Sequence, residues 1–272
     1  MQADPPVTPQ ETLVPHQIHL WCAFLPMACH GLDRQHLDLL NGPELQQHAR
    51  FVFEKDRHRY LVTRALVRTV LSRYAPIAPK DWLFKPNAYG RPEIANANPA
   101  ARQLRFNVSH TDGLVVVAVT TGRDIGIDTE SMARTAPLGV AKSFFSPREA
   151  HMLWALPSAE QPRRFWELWT FKESYIKARG MGLSLPLNRF SFELEDASTA
   201  TATFDPSLGD DPSRWSFWQI LLDTHHLLAI CLERRPGEPT EFVCRQIRPL
   251  IDEMPLRVSA VRGSIMLGLA AE

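Results

Sequence analysis

No uninterrupted apolar run in this 272-residue chain exceeds six residues, and of those that long Leu114–Val119 constrains the fold most. Rich in β-branched valine, LVVVAV reads as a strand. Successive strand residues point to opposite faces, so a run with no polar alternation must be covered on both sides. Other strands flank it. LRFNVSH (104–110) precedes it across a turn containing Gly113, and IGIDTE (125–130) follows the break TGRD (121–124). A run this short is far below the ~20 residues that span a bilayer, so a soluble chain with no membrane partner is expected.

The same alternation of strand and helix extends both ways. On the N-terminal side, a strand over 18–25 precedes a short helix over 43–53 and a long helix over 56–74. Asp56 is placed to cap the long helix, and Leu61, Ala65, Leu66, Val70 and Leu71 recur at helical spacing. On the C-terminal side, helices are expected over 137–144, 147–156 and 163–179, the last closed by Gly180. Strands follow near 189–195, 216–221 and 227–233. The chain therefore divides into a loose Pro-rich arm (1–17), a first half (18–122), a second half (123–235) and a C-terminal extension (236–272). Each half reads as a long helix on a small sheet, without a recognisable internal sequence repeat.

Thirty Lys and Arg balance thirty Asp and Glu. That equality removes the blanket electrostatic case for nucleic acid. Cys22, Cys29, Cys231 and Cys244 form no CxxC pair and no zinc-finger spacing with histidine. They read as reduced structural thiols. The N-terminus lacks the basic start and apolar stretch of a signal peptide, and a cytoplasmic location is expected.

Two groups of residues carry chemistry. Asp128 and Glu130 occupy alternate positions of one strand and point to the same face, where like charges raise each other's pKa unless a cation intervenes. Their oxygen donors suit a hard ion such as Mg²⁺; two exposed acids on an edge strand are the plainer alternative. On the helix RRFWELWTFKESYIKARG, Trp169, Glu173 and Lys177 are spaced by four and line one stripe, with Lys172 about a third of a turn away. An ordinary helix ion pair would account for Glu173 and Lys177 alone. The aromatic and aliphatic character of the rest of that helix places these charges beside buried surface, where unpaired charge is costly.

Further contacts suit an anion. Ser109 and His110 stand at the end of a strand and just before Gly113, where hydroxyl, imidazole and backbone N–H groups can converge, or where a capped turn would use them. Arg57, His58, Arg59 and Arg64 give the first long helix a basic face. Arg91, in NAYGRP, sits on a turn that can hold its fork for bidentate phosphate contact. There is no Walker loop, GxGxxG or HExxH.

In their order along the chain, FNVSH, GIDTE, FFSPRE and LWTFKESYIKARGMGLSLPL resemble the 4′-phosphopantetheinyl transferases of the surfactin-activating type. The resemblance covers about residues 18–233. It implies an α/β (α+β) pseudo-dimer of two similar subdomains with the active site between them. It further implies transfer of the 4′-phosphopantetheine group of coenzyme A, the substrate, to a serine of an apo acyl or peptidyl carrier protein, with Mg²⁺ or Mn²⁺ and release of 3′,5′-ADP. By the same resemblance, Asp128, Glu130 and Glu173 are metal ligands and Lys177 contacts the pyrophosphate. Ser109 and His110 contact phosphates, and Arg91 lies near the adenine and 3′-phosphate. Glu149 and Lys172 support the catalytic centre, with Glu173 the candidate base. The chain departs from the family at Glu44 and Gln47, which stand where some members carry lysines for the 3′-phosphate; that load would fall on Arg50, Arg59 or His58. A monomer is expected, with Arg148, Arg163 and Arg164 as a basic rim for an acidic carrier. Another Mg²⁺-dependent phosphoester enzyme, or a coenzyme A-binding module without catalysis, are the alternatives.

Overall fold

The valine run lies in the interior, and its two faces serve two different cores. In a computed structural model, which describes residues 11–25, 33–194, 196, 198–264 and 268–269, it forms most of a strand spanning Leu114–Thr121. Val115, Val117 and Val119 pack with Leu66, Val67 and Val70 of the first long helix. Leu114, Val116 and Ala118 pack with Ile127, Ile220 and Ile230 of a second sheet. Helix, sheet, sheet and helix therefore stack as four layers, which is why the run 114–119 carries no polar residue.

The strands are β1 (Gln17–Phe24), β2 (Phe84–Pro86), β3 (Pro92–Ile94), β4 (Leu104–Thr111), β5 (Leu114–Thr121), β6 (Ile125–Ser131), β7 (Phe190–Glu193), β8 (Thr201–Phe204), β9 (Trp215–Leu221), β10 (His226–Glu233), β11 (Glu241–Arg248), β12 (Asp252–Pro255), β13 (Ser259–Gly263) and β14 (Gly268–Leu269). The helices are α1 (Asp33–Leu37), α2 (Gly42–Arg50), α3 (Glu54–Leu71), α4 (Pro99–Gln103), α5 (Ala141–Phe144), α6 (Pro147–Ala155) and α7 (Gln161–Arg179). The first sheet has the order β12-β11-β1-β5-β4 with β14 on β11, and the second has the order β13-β9-β10-β6. Helix α3 covers the first sheet and α7 the second.

Most elements lie within a few residues of expectation, with instructive differences. Phe53, in extended conformation, is the N-cap of α3, and Asp56 instead pairs with Arg59 at 2.8 Å inside the first turn. The helix expected over 137–144 is a 3-10 turn at Leu138–Val140 followed by α5. Gly180 ends α7 in the left-handed conformation, as expected. The extension after Pro236 is not an appendage: β11 runs parallel to β1 inside the first sheet, and β13 joins the second. From the arm, Glu11 donates its N–H to Arg73 O and Leu13 packs on the first core. Residues 1–10 and Cys29 lie outside the described residues.

Two contacts shape the place where the site forms, and the first of them joins the halves. The edges β4 and β6 run side by side in the same direction, and side chains of β4 connect them. Asn107 Oδ1, Ser109 Oγ and Thr111 Oγ1 accept the N–H groups of Ile127, Thr129 and Ser131 at 3.0, 3.1 and 3.2 Å. The second contact is made by a missing side chain. Gly126 shares the helix-facing side of β6 with Asp128 and Glu130, and a Cβ there would fall well inside van der Waals contact of Ser174 O and Ala178 N. The α7 backbone thus rests directly on the strand, one turn of helix beside the two acids.

That approach is testable. Gly126→Ala forces α7 away from β6, and overpacking of this kind costs about 1–3 kcal/mol. A denaturant titration should show the midpoint lowered, and an unchanged midpoint would mean that the helix does not rest on this glycine.

Candidate functional site

The site lies where β4, β6 and α7 meet. Lys177 reaches from α7 to place Nζ 2.6 Å from Asp128 Oδ1 and 3.0 Å from Ser109 Oγ, and Ser109 itself donates to Asp128 Oδ1 at 3.1 Å. Asp128 Oδ2 is buried and without a hydrogen-bond partner among the described residues. Glu130 Oε2 accepts from Thr111 Oγ1 at 3.0 Å and from Arg134 at 3.1 Å. Glu173 stands one turn before Lys177 on the same stripe, and its carboxyl makes no hydrogen bond among the described residues.

The electrostatics match crowded acids. Burial raises the Asp128 carboxyl above its ordinary value despite Lys177 and Ser109. Burial and the Asp128 charge raise Glu130. Glu173 is pushed up to about 7, first by burial and then by Asp128 and Glu130, with Lys177 opposing. Three carboxylates each held above the usual range are short of positive charge. All six of their oxygens are hard donors, and one of them is buried and orphaned, so the set fits a hard divalent cation. They do not form a closed cage: among the described residues, no group of three His, Cys, Asp or Glu is gathered closely enough to hold a metal by itself. Water and phosphate oxygens would have to complete the shell.

Cavities open on both sides of Lys177. One, of about 430 Å³, is lined by Phe51, Asp56, Arg59, Tyr60, Arg64 and His110 among others. His110 stands on this wall with part of its surface open to solvent, and its imidazole titrates below the ordinary value, chiefly through partial burial and then through Arg59. The other, of about 320 Å³, runs along Tyr89, Gly90, Pro92, Phe106, Ile176 and Glu173. Lys177 and Val108 line both, so a basic cavity and a largely apolar one meet at the acids. A third cavity, of about 410 Å³ and lined by Lys85, Glu93, Arg102, Arg105 and Asp124, contains none of the three acids.

Other residues singled out by the sequence lie elsewhere. Arg91 lines the apolar cavity, yet its guanidinium donates to Lys177 O at 3.0 Å, Ala178 O at 2.9 Å and Ile125 O at 3.1 Å. It caps the carbonyl end of α7 and ties the first half to the second, where a free phosphate fork was expected. Lys172 and Glu149 do come together, 2.6 Å apart, but with both side chains fully buried. Lys172 also donates to Phe190 O, and Glu149 accepts from the N–H groups of Ser146 and Phe192. Neither lines the two cavities; the pair fastens α6 and β7 to α7.

Of the first-half basic residues, Arg59 and Arg64 reach the cavity. Neither His58, 3.9 Å from Asp33, nor exposed Arg50 lines it. Glu44 holds buried Arg68 at 2.7 Å and, with Asn41, forms the capping box of α2. The residues expected as a basic rim are engaged in ion pairs: Arg148 pairs with Glu193, and Arg163 and Arg164 share Glu167 with Arg262, which leaves positive charge in excess there. Sequence reasoning also passed over Asn107 and Thr111, although short polar side chains at every second position of a strand otherwise headed for the interior are a signal that the strand edge has polar work to do.

Known proteins similar to this chain carry one activity in their names. Residues 124–231 match the family model of the 4′-phosphopantetheinyl transferase superfamily, and residues 33–122 match that of the 4′-phosphopantetheinyl transferase N-terminal domain. The chain is 32% identical over 231 residues, 84% of its length and 92% of the other, to 4′-phosphopantetheinyl transferase HetI of Nostoc sp.. It is 40% identical over 171 residues to a 4′-phosphopantetheinyl transferase of Bacillus subtilis, covering 63% of this chain and 73% of that one. With 4′-phosphopantetheinyl transferase Sfp of B. subtilis strain 168 the identity is 36% over 162 residues, or 60% and 70% of the two chains.

The buried pair gives a clear expectation. Lys172→Met leaves Glu149 as an uncompensated buried charge, a loss of about 3–5 kcal/mol. Lys172→Met with Glu149→Gln should recover part of it. Equal stability of single and double variants in chemical denaturation would contradict the pairing.

Proposed function

The chain belongs to the 4′-phosphopantetheinyl transferase superfamily, and from that premise we propose that it moves the 4′-phosphopantetheine group of coenzyme A onto a serine of an apo carrier protein. The observation that carries this reading is the meeting of two cavities at Lys177, beside three acids of raised pKa. The basic cavity, with Arg59, Arg64 and His110, suits the phosphates of the nucleotide. The apolar one, with Tyr89, Pro92, Phe106 and Ile176, suits an uncharged planar or aliphatic part of the same substrate.

Phosphoryl transfer asks mainly for positioning and for stabilisation of charge. Lys177 holds a pyrophosphate oxygen once substrate draws it from Asp128. Arg59 and His110 fix the far phosphate, which sets the pyrophosphate across the seam. The serine Oγ forms a bond to the β-phosphorus, the bond from that phosphorus to the bridging oxygen breaks, and 3′,5′-ADP leaves with the bridging electrons. Glu173, which cation binding would leave ionised, takes the serine proton directly or through water. Asp128, Glu130 and Glu173 would hold Mg²⁺, which when bound neutralises pyrophosphate charge.

The acidic carrier is received on the first-half rim. Arg50 and Lys55 are exposed there with no acidic partner among the described residues, beside Val52 and Phe53, which are 84% and 66% exposed. Phe51, next in the chain, lines the basic cavity. Cys22, Cys231 and Cys244 are free thiols, and no described helix is long and apolar enough to cross a membrane. These features suit work in the cytoplasm, and one chain supplies both walls of the site, so a monomer suffices.

Incubation with coenzyme A, Mg²⁺ and an apo carrier should give the carrier a phosphopantetheine-sized mass gain; cleavage of coenzyme A without that gain would mean a hydrolase instead. Asp128→Ala should abolish transfer without loss of fold, and Lys177→Ala should weaken coenzyme A binding or transfer by about tenfold or more. Cation binding ionises Glu173, so Mg²⁺ affinity should fall as pH drops below about 7, with proton release measurable by calorimetry in buffers of different ionisation enthalpy. An isotherm independent of pH from about 6 to about 8 would remove Glu173 from the ligand set.

A further inference from the structure

The three side chains that join β4 to β6 differ in what they do besides joining. Asn107 accepts one amide. Ser109 and Thr111 each accept an amide and also donate to an acid. Ser109 takes Thr129 N–H and gives its proton to Asp128 Oδ1 at 3.1 Å. Thr111 takes Ser131 N–H at 3.2 Å and gives its proton to Glu130 Oε2 at 3.0 Å. A hydroxyl carries one proton and two lone pairs, so at Thr111 the single proton is committed to the carboxylate.

We propose that Thr111 is a positioning residue that sets the orientation of Glu130, so that the carboxylates of the second half are aimed by hydroxyls of the first. This rests on the cation-binding reading above. Thr111 is 4% exposed and lines neither cavity, so it acts through Glu130 and not on substrate. The other group on Oε2 is Arg134, whose side chain is 53% exposed. An exposed ion pair of that kind fixes little, whereas a buried hydroxyl in a strand edge holds one rotamer. With Oε2 held, Oε1 remains without a hydrogen bond among the described residues and is the oxygen left for a cation. It follows that the acid pair is fully aligned only while the β4–β6 seam is closed.

The test measures Mn²⁺ binding by electron paramagnetic resonance in the presence of coenzyme A, for the full chain and its variants. Thr111→Val, which keeps shape and removes the hydroxyl, should weaken Mn²⁺ binding about tenfold or more, the usual effect of removing a group that orients a metal ligand. Thr111→Ser should restore it. In a Glu130→Gln background, Thr111→Val should have no further effect on Mn²⁺, since the hydroxyl acts through Glu130. Thermal melting is followed in parallel, because loss of the Ser131 N–H partner lowers stability whether or not Thr111 positions anything. A Thr111→Val protein with lowered melting temperature but wild-type Mn²⁺ affinity would overturn the proposal. Glu130→Gln with wild-type Mn²⁺ affinity would instead overturn the cation-binding reading itself. If Thr111→Val does not fold, Thr111→Cys, with similar volume and a weak S–H donor, replaces it. Its affinity must then fall between those of wild type and Glu130→Gln.

Discussion

Bare backbone contact between α7 and β6 governs the site. At Gly126 the strand presents no side chain, and the helix lies against it through Ser174 O and Ala178 N. Because Glu173 and Lys177 immediately precede those two residues, the contact delivers a carboxylate and an ammonium onto the face of β6 that carries Asp128 and Glu130. A methyl group at this point would lever the helix away from both acids. Arg91 and Asn87 reinforce the same joint from the first half, with Asn87 donating to Gly180 O at 2.9 Å beside the Arg91 contacts to the end of α7.

Once helix and strand are in contact, burial and like charge act together. Asp128, Glu130 and Glu173 all titrate above their ordinary values, and Lys177 alone does not satisfy them. The surrounding charges are otherwise paired away from the cleft: Glu149 with Lys172, Glu167 with Arg163, Arg164 and Arg262, Glu44 with Arg68. A chain of zero formal net charge thus keeps a local excess of negative charge on one side of Lys177 and of positive charge on the other. That polarity, and not net charge, is what a pyrophosphate bridging two halves requires.

The family membership has a structural counterpart in the four-layer stack. Each half contributes one long helix and one sheet. The sheets bury their inner faces against each other, Val116 of β5 in the first meeting the cluster that holds Ile127 and Ile230 of the second. The extension after Pro236 then threads both sheets, with β11 against β1 and β13 against β9. Neither half closes its own sheet from its own residues alone.

Local chemistry was legible from residue order. The valine run required cover on both faces, the spacing of Glu173 and Lys177 placed them on one helical stripe, and the alternation of Asp128 and Glu130 placed them on one strand face, because these periods are properties of the backbone itself. Other assignments depended on what lies opposite in space. Arg91 and Lys172 carry the right charge for a phosphate site, yet the fold spends them on carbonyl ends and on a buried joint with Glu149, while Arg64, indistinguishable in sequence from its neighbours on α3, lines the cavity. The extension looked featureless because β11 finds its partner in β1, at the other end of the chain, and β12 in turn pairs with β11. The sequence by itself determined which faces must be buried and which acids stand together on an element. Only the tertiary structure decided which charges meet substrate and which meet each other, because a side chain's partner is set by the element packed against it and not by its neighbours along the chain.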